Sequence, residues 1–549
     1  MRRIVLLLPL LLALSAAAQE KLVESIEVHV VNVDVVVTDR AGNPVTGLKR
    51  DDFEIFENGK PQTLTNFYEV RPDDAGAPRT KLAAPAATEP AAVEAPPAEA
   101  RARHIVVFID DYSVEPHTRV QLLGSLTKFV EKEMRDGDEG TVISWSHSPR
   151  VLIPFTSDKN ALVAAINKID PRSSVQARTE DNHVRQICAS AATIRDRSER
   201  AQAIGDCMMM ISARADEIWA LERDLLQAMR LTMTSLGGLE GKKAMIIAGS
   251  HLPEIPGLDL YQYASDLFGQ GKGGAPRFQA AHRSQTLPII DVAREANANG
   301  VTLYTIDTNA SRDAASAENR DPVSSEEAFV EFTNTKFAYD NLAKITGGIS
   351  IANTTNLDLA FDTVAHDLTA WYSLGYRPSD ETSTGDRKLK VRVKNPEYRV
   401  RTRQTYAFKS HDEEVGDRVL ANIAHDGIKS QWEIALSTGA PAKDGRNYLV
   451  PIEVRVPSSV TLLPAAGGKL TGGFDVYIVV GNDDGRTSNI TKRLQPITIP
   501  SAVENAVRSH PLTFNATLMV RPGKNTISVA VVDEISNTTG FARATIVAR

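Results

Sequence analysis

Acidic and hydroxyl side chains follow an apolar segment early in the chain. The run His104 to Ile109 predicts a buried parallel strand, and it leads directly into Asp110, Asp111, Ser113 and Glu115. Oxygen atoms of these side-chain types are the ligands that hard divalent cations prefer. The alternative is structural, because carboxylates at the start of a helix cap its free amide groups. The segment therefore predicts either a cation site or a helix start.

Recognisable catalytic motifs are absent from the sequence. It contains no Gly-x-Ser-x-Gly elbow, no His-Glu-x-x-His pair and no phosphate-binding glycine loop. A hydrolase would have to rest on scattered acidic residues and histidines without a recognisable arrangement. We therefore expect a protein that is not an enzyme, with a hydrolase as the remote alternative.

The first residues read as an export signal. Arg2 and Arg3 form a basic start, the apolar run Ile4 to Leu14 follows, and Ala16 to Ala18 offer a small-residue cleavage site. The alternative is a short membrane anchor, but the run is well below the roughly 20 residues that span a bilayer. We expect a signal peptide over residues 1–18, no membrane span after its removal, and a periplasmic or extracellular location.

The chain has 2 cysteines, Cys188 and Cys207. In an oxidising compartment they favour one disulfide over the alternative of two free buried thiols.

Composition limits the remaining function classes. The 549 residues are too many for one typical domain, so three or four folded units are expected. The formal net charge of −7 gives no electrostatic reason for nucleic acid binding. We expect a protein partner and no nucleic acid.

Hydrophobic periodicity divides the chain into segments. Residues 21–70 are rich in valine and turn signals, which predicts a small β unit. Residues 71–101 are mostly Ala, Pro, Glu and Thr, which is typical of a linker. Residues 102–378 alternate strands and helices, which predicts a doubly wound α/β domain, interrupted by a helical insert at about 178–236. Residues 379–410 predict a β extension that packs with the N-terminal unit, and residues 411–549 predict a C-terminal β-sandwich.

The order of several short segments resembles the bacterial secreted VWFA-related family, whose members carry a von Willebrand factor A-type domain flanked by β units. The resemblance extends over about residues 24–407, without the linker and the insert. The segments that carry it are Val33 to Asp39, Gly42 with Pro44 and Val45, Gly47-Leu48, Asp51 to Gly59, Ala296 to Asp307, Leu342 to Gly348, Asp367-Leu368, Tyr372 to Pro378, Lys388 to Val393 and Arg401 to Tyr406. It implies a Rossmann-like A-type domain.

The resemblance also implies Mg²⁺ or Mn²⁺ as a cofactor, held by an Asp-x-Ser-x-Ser motif with a Thr and an Asp from other loops. Counted from Asp111, this chain offers Ser113 and then Glu115 in place of the second Ser; Asp110 is the alternative first ligand. The loop that should supply the Asp reads Gly249-Ser250-His251, and the insert replaces the Thr loop, for which Thr179 and Ser173 are substitutes. We therefore predict a degenerate adhesion site, with Ser250, His251 and Thr179 on the binding surface.

These observations predict a secreted adhesion or scaffold protein that binds another protein through its A-type domain, with or without a cation. The alternative is a purely structural protein of the cell envelope that has no metal site.

Overall fold

The structure is a computed structural model that describes residues 30–71, 103–169, 176–269, 276–308, 325–352, 354, 356–378, 385–407, 409–425, 428, 430–482 and 486–549. The predicted signal peptide, the predicted linker beyond residue 71 and Ser173 lie outside these residues. Within them, no helix is both long enough and apolar enough to cross a bilayer. The chain has a mixed α/β architecture with several sheets.

The N-terminal unit consists of short strands. They are β1 (Val31–Thr38), β2 (Phe53–Glu57), β3 (Lys60–Gln62) and β4 (Leu64–Val70). The predicted Asn58-Gly59 hairpin is present: Glu57 pairs with Lys60, and both turn residues have positive φ angles, 50° and 82°. Glycine and asparagine tolerate that region better than other residues, which explains this turn sequence.

The central part alternates strands and helices. In chain order its elements are β5 (Arg103–Asp110), α1 (Pro116–Glu133), β6 (Glu139–Trp145), β7 (Pro149–Thr156), α2 (Lys159–Ile166), α3 (Gln176–Thr193), α4 (Arg197–Thr234), β8 (Lys242–Gly249), α5 (Leu258–Phe268), α6 (Pro276–Ala280), α7 (Thr286–Ala298), β9 (Val301–Asp307), α8 (Ser325–Thr346), β10 (Ser350–Ile351) and α9 (Leu357–Asp367).

These strands form one sheet of six in the order β10-β9-β8-β5-β6-β7. All neighbours are parallel except β6 and β7. Every residue of β5 is buried, because helices cover both faces of the sheet. Ile105 and Val107 pack with α1, α2 and α9 on one face, whereas Val106 and Phe108 pack with α4, α7 and α8 on the other.

The helical insert spans α3 and α4. Asp196 begins α4 by accepting hydrogen bonds from the amides of Ser198 and Glu199, a typical N-cap. A disulfide joins Cys188 to Cys207 across the two helices, and their side chains belong to a small apolar core shared with α5. The insert is therefore a folded helical pair with its own packing.

The next strands are β11 (Trp371–Tyr376), β12 (Asp386–Val393), β13 (Arg399–Arg401) and β14 (Thr405–Ala407). They pair with the N-terminal strands in the orders β13-β1-β11-β4 and β14-β12-β2-β3. The predicted boundary at residue 378 differs from this arrangement, because β11 lies between β1 and β4 rather than in the central sheet. Burial of two aromatic side chains accounts for this position of β11, because Tyr372 and Tyr376 both belong to the core of the N-terminal unit.

The C-terminal segment begins with a helix, which the strand-only prediction for this segment missed. Ser410 and Glu413 form a capping box at the start of α10 (His411–Ala424). The other elements are β15 (Ala435–Thr438), β16 (Ala442–Asp444), β17 (Asn447–Val456), β18 (Leu462–Ala465), β19 (Lys469–Asn482), β20 (Thr491–Pro500), α11 (Glu504–Arg508), β21 (Leu512–Val520), β22 (Gly523–Asp533) and β23 (Thr539–Ala548). The strands form two antiparallel sheets that share one apolar core.

Candidate functional site

The carboxyl ends of three central strands bring polar side chains together. The Ser113 hydroxyl donates to the Asp110 carboxylate at 2.6 Å and accepts from the amide of Ser250 at 2.9 Å. The hydroxyls of Ser250 and Thr308 are 2.6 Å apart. A continuous hydrogen-bonded chain thus crosses the ends of β5, β8 and β9.

Asp110 is the acidic residue of this hydrogen-bonded chain, and its side chain is buried. It is 3 % exposed, and its Oδ1 atom has no hydrogen-bond partner among the described residues. Burial raises the pKa of Asp110 to about 7, although the Ser113 hydroxyl opposes that shift. The Asp110 carboxyl group can therefore either hold a proton or bind a cation.

Asp111 lies elsewhere than the predicted ligand set requires. Its carboxylate pairs with the guanidinium of Arg119 at 2.8 Å, and the Arg119 side chain is fully buried. The reason is geometric: β5 extends through Asp110, so Asp110 is the last strand residue and Asp111 starts the turn. Asp110, the alternative first ligand, thus lies at the end of the strand, whereas Asp111 is paired with Arg119.

The helix-cap interpretation also differs from the structure. Helix α1 begins at Pro116, and its N-cap residue is Glu115, whose side chain makes no capping hydrogen bond. Asp110 and Asp111 lie before the cap position. Glu115 is half-buried at the helix entry.

The insert contributes a carboxylate that the sequence analysis did not single out. Glu222 of α4 is 4 % exposed, and both of its carboxylate oxygens lack hydrogen-bond partners among the described residues. Burial and the charge of Asp110 raise its pKa well above the ordinary value. Its signal in the sequence is an acid on the apolar stripe of α4, between the buried residues Ile218, Leu225 and Leu226.

Tyr339 of α8 reaches the same place. A Cβ atom on Gly249 would lie 2.8 Å from the Tyr339 hydroxyl and 3.0 Å from the Asp110 Cβ, so glycine leaves the space that the phenol uses. Burial raises the pKa of Tyr339 well above its ordinary value, and the charges of Asp307, Asp110 and Glu222 add to this shift. The phenol therefore stays neutral among the acids.

Contacts between the insert and the Asp110 turn hold the cluster in place. The buried guanidinium of Arg214 on α4 pairs with Glu180 at 2.6 Å and with Asp181 at 2.7 Å. It also lies 3.5 Å from the hydroxyl of Tyr112, which belongs to the turn after β5. The insert is thus fastened directly to the loop that carries Asp110 and Ser113.

The predicted binding-surface residues separate into two groups. Ser250 is buried within the hydrogen-bonded chain, and His251 follows it, half-buried, in the loop after β8. Thr179 is exposed on α3, one residue before the Glu180 that pairs with Arg214. Thr179 is therefore on the surface of the insert, whereas Ser250 helps to build the floor of the cluster.

The cluster offers oxygen donors only. The unpartnered oxygens of Asp110 and Glu222, together with the Ser113 hydroxyl, are the donors that Mg²⁺ or Mn²⁺ would take. Buried carboxylates without partners carry a desolvation cost that a cation would offset. These residues therefore fit a hard divalent cation better than a softer metal that prefers nitrogen or sulfur ligands.

No family model matches the chain, and no curated protein matches it. Among solved structures, an aerotolerance-related membrane protein from Bacteroides fragilis is 10% identical, with 49% of this chain and 98% of that chain covered at a TM-score of 0.22. The protein BatB from Bacteroides thetaiotaomicron is 11% identical, with 49% and 97% covered and a TM-score of 0.20. The vWF domain of the type V pili tip protein Mfa5 from Porphyromonas gingivalis is 13% identical, with 49% and 94% covered and a TM-score of 0.24. At these TM-scores the function has to be argued from the residues of this chain.

Proposed function

We propose that this chain is an exported, non-enzymatic adhesion or scaffold protein that binds another protein at the carboxyl edge of its central sheet. A divalent cation, Mg²⁺ or Mn²⁺, is held there by Asp110, Ser113 and Glu222. The observation that carries the proposal is the pair of buried acids whose Oδ1, Oε1 and Oε2 atoms lack partners among the described residues.

The architecture supports the proposal. The sheet order places β5 in the middle with helices on both faces, which is the arrangement of a doubly wound domain of the von Willebrand A type. Ligands of such sheets bind outside the carboxyl ends of the strands, where Asp110 lies. The two C-terminal sheets and their common core support a β-sandwich that presents or spaces this domain.

The insert changes the charge of this site, because it contributes the carboxylate of Glu222. A cation between Asp110 and Glu222 meets two negative charges, so its attraction for an acidic group of the partner is weaker than beside hydroxyl ligands alone. The partner must then also contact the protein surface around the ion. We assign that surface to the exposed side of α3, with Thr179, and to the loop after β8, with His251.

A specific observation favours the purely structural alternative. Because the pKa of Asp110 is raised to about 7, its carboxyl group can hold a proton in place of a cation. The pKa of Glu222 is shifted in the same direction. In that case both acids are neutral parts of a core, and the domain assembles with its partner without metal.

Titration calorimetry of the purified chain with Mg²⁺ and with Mn²⁺ tests the proposal. We expect saturable binding at one site, lost in Asp110→Asn and in Glu222→Gln, which keep the shape of each side chain. Asp291→Asn is the matched control, because Asp291 is about half-exposed and pairs with its helix neighbour Arg294 on α7, outside the carboxyl-edge cluster. Absence of saturable binding would favour the structural alternative, and binding that survives both variants would overturn the assignment of the ion to Asp110 and Glu222.

The absence of enzymatic activity is part of the proposal and needs its own test. Ester, peptide and glycoside substrates can be screened with the purified chain. Turnover that disappears in one variant of the carboxyl-edge cluster, such as Asp110→Asn, would replace the binding function with a hydrolase.

A further inference from the structure

The opposite, amino edge of the central sheet carries a second cluster of different composition. His104 is near the start of β5, Glu139 is the first residue of β6, and the two are direct neighbours in the parallel register. His425 follows α10 of the C-terminal segment. One ligand atom from each of these three residues lies within 4.8 Å of the other two.

Hydrogen bonding fixes which nitrogen of His104 faces the cluster. Its Nε2 lies 3.0 Å from the backbone carbonyl oxygen of Glu240, which can only accept, so Nε2 carries the proton. Nδ1 then lies 3.3 Å from a carboxylate oxygen of Glu139. Both atoms are hydrogen-bond acceptors, and they repel each other at this distance unless a second proton or a cation lies between them. A carbonyl that accepts from the far nitrogen is also how proteins orient a metal-binding histidine.

The burial of His425 is a second observation, independent of the distances within the cluster. It is only 2 % exposed, and neither ring nitrogen has a hydrogen-bond partner among the described residues. A buried imidazole without a hydrogen-bond partner lowers the stability of the folded state, because its nitrogen atoms have lost their hydrogen bonds to water without replacing them. A neutral imidazole offers one nitrogen lone pair to a metal, and no donor among the described residues occupies it at His425.

Packing holds the His425 ring against the cluster. The ring centroids of His425 and Phe155 are 4.0 Å apart, and those of His425 and His104 are 6.0 Å apart. The guanidinium of Arg543 on β23 donates to the His425 carbonyl oxygen at 3.2 Å, which anchors the backbone after α10. The side chain of Glu139 is 37% exposed, so the cluster is open to water on one side.

We propose that His104, Glu139 and His425 bind a zinc ion that fastens the C-terminal segment to the central sheet. Two imidazoles and one carboxylate are ligands that zinc accepts, with bonds of about 2.0–2.2 Å and a fourth position for water. The ligand atoms are already close enough that small side-chain rotations bring them onto one ion. The site differs from the carboxyl edge, where all donors are oxygen.

The position of the site indicates its role. His104 and Glu139 belong to the central sheet, whereas His425 ends the helix that packs against β19 and β22 through Val415 and Val419. An ion shared between them joins two folded parts that otherwise meet through side-chain contacts. Zinc binding is therefore expected to stabilise the junction, in keeping with the linkage between a ligand and the folded state that it binds.

The test measures zinc on the full chain after removal of metals with EDTA. Elemental analysis and calorimetry with Zn²⁺ alone give the stoichiometry, and Co²⁺ reports nitrogen ligands through its visible absorption. We expect one zinc ion per chain, a rise in melting temperature on its addition, and binding weakened about 100-fold or more in His425→Gln, since even indirect changes to a metal site cost 10–100-fold.

Two further variants make the result decisive. Glu139→Gln removes a ligand at a half-exposed position, so it tests the site even if His425→Gln fails to fold. His510→Gln is the matched control, since His510 is exposed and its ring hydrogen-bonds within its own helix turn, near Ser509. Zinc binding that is absent from the unaltered chain, or equal in Glu139→Gln and the control, would overturn the proposal. Retention of zinc in Asp110→Asn separates this site from the proposed function.

Discussion

The two edges of the central sheet bury ionisable groups of opposite kinds. At the carboxyl edge, Asp110 and Glu222 are acids whose burial raises their pKa values. At the amino edge, His425 is a base whose burial lowers its pKa. In each case the burial disfavours the charged form, so each edge stabilises a neutral group or a group that a metal ion neutralises.

Donor type, rather than burial, distinguishes the two edges. Carboxylates and hydroxyls at the carboxyl edge suit a hard cation, whereas imidazoles at the amino edge suit zinc. The two proposed sites therefore differ in the metal that their donor atoms suit.

The largest effect is expected from Asp111→Ala. This change leaves the fully buried Arg119 without its carboxylate, and breaking a buried pair in this way costs about 3–5 kcal/mol. Urea unfolding of the metal-free chain measures it. Asp110→Asn is the comparison and should not lose stability, because it removes a charge that burial disfavours. Equal losses in both variants would mean that the two neighbouring acids do not have separate roles.

The next effect is the pH dependence, which should have opposite signs at the two edges. Folding raises the pKa of Asp110 from 3.8 to about 7, so its contribution to the free energy of unfolding falls as the pH rises through this window. Folding lowers the pKa of His425 from 6.5 to about 3, so its contribution falls as the pH decreases through that window. Each contribution is at most about 4–5 kcal/mol, since one pKa unit corresponds to 1.36 kcal/mol.

Urea unfolding in EDTA between about pH 4 and pH 7 measures these slopes. Compared with the unaltered chain, Asp110→Asn should make stability rise more steeply with pH, and His425→Gln should make it rise less steeply. Slopes that move in the same direction in both variants would remove the contrast.

A smaller effect is expected when the unpartnered acid of the insert is replaced. Glu222→Leu should stabilise the metal-free chain by about 1–3 kcal/mol, because a buried carboxylate without partners is exchanged for an apolar group. Glu139→Gln at the amino edge should change stability by less than about 1 kcal/mol in EDTA, since its side chain is 37% exposed. Thermal unfolding of both variants without metal makes the comparison, and destabilisation by Glu222→Leu would contradict it.

The smallest effect concerns the space beside Asp110. Gly249→Ala should cost about 1 kcal/mol, because the new methyl group meets the Tyr339 hydroxyl at 2.8 Å and the Asp110 Cβ at 3.0 Å. Gly124→Ala is the control: it lies in the interior of α1 with no atom within 4 Å of the new Cβ, so it should stabilise by up to about 1 kcal/mol. A neutral Gly249→Ala would show that the phenol moves freely.

The sequence predicts the elements of the central sheet and the position of the acidic loop, because apolar runs and turn residues are local signals. It does not decide between Asp110 and Asp111, since that depends on whether β5 ends one residue earlier or later. Glu222 is visible only as an acid on an apolar stripe. His425 carries no local signal, because its partners are contributed by strands hundreds of positions away.

The pairing of β1 has a consequence for the time course of folding. The Thr402 hydroxyl donates to the Asp34 carbonyl oxygen across 368 residues, and β11 supplies the partner for Val31 to Val35. During synthesis this valine-rich strand emerges long before β11, its partner, and unpaired strands of this kind aggregate. The N-terminal unit can therefore be completed only after β11 to β14 have been made, and a fragment that ends before residue 371 is expected to precipitate.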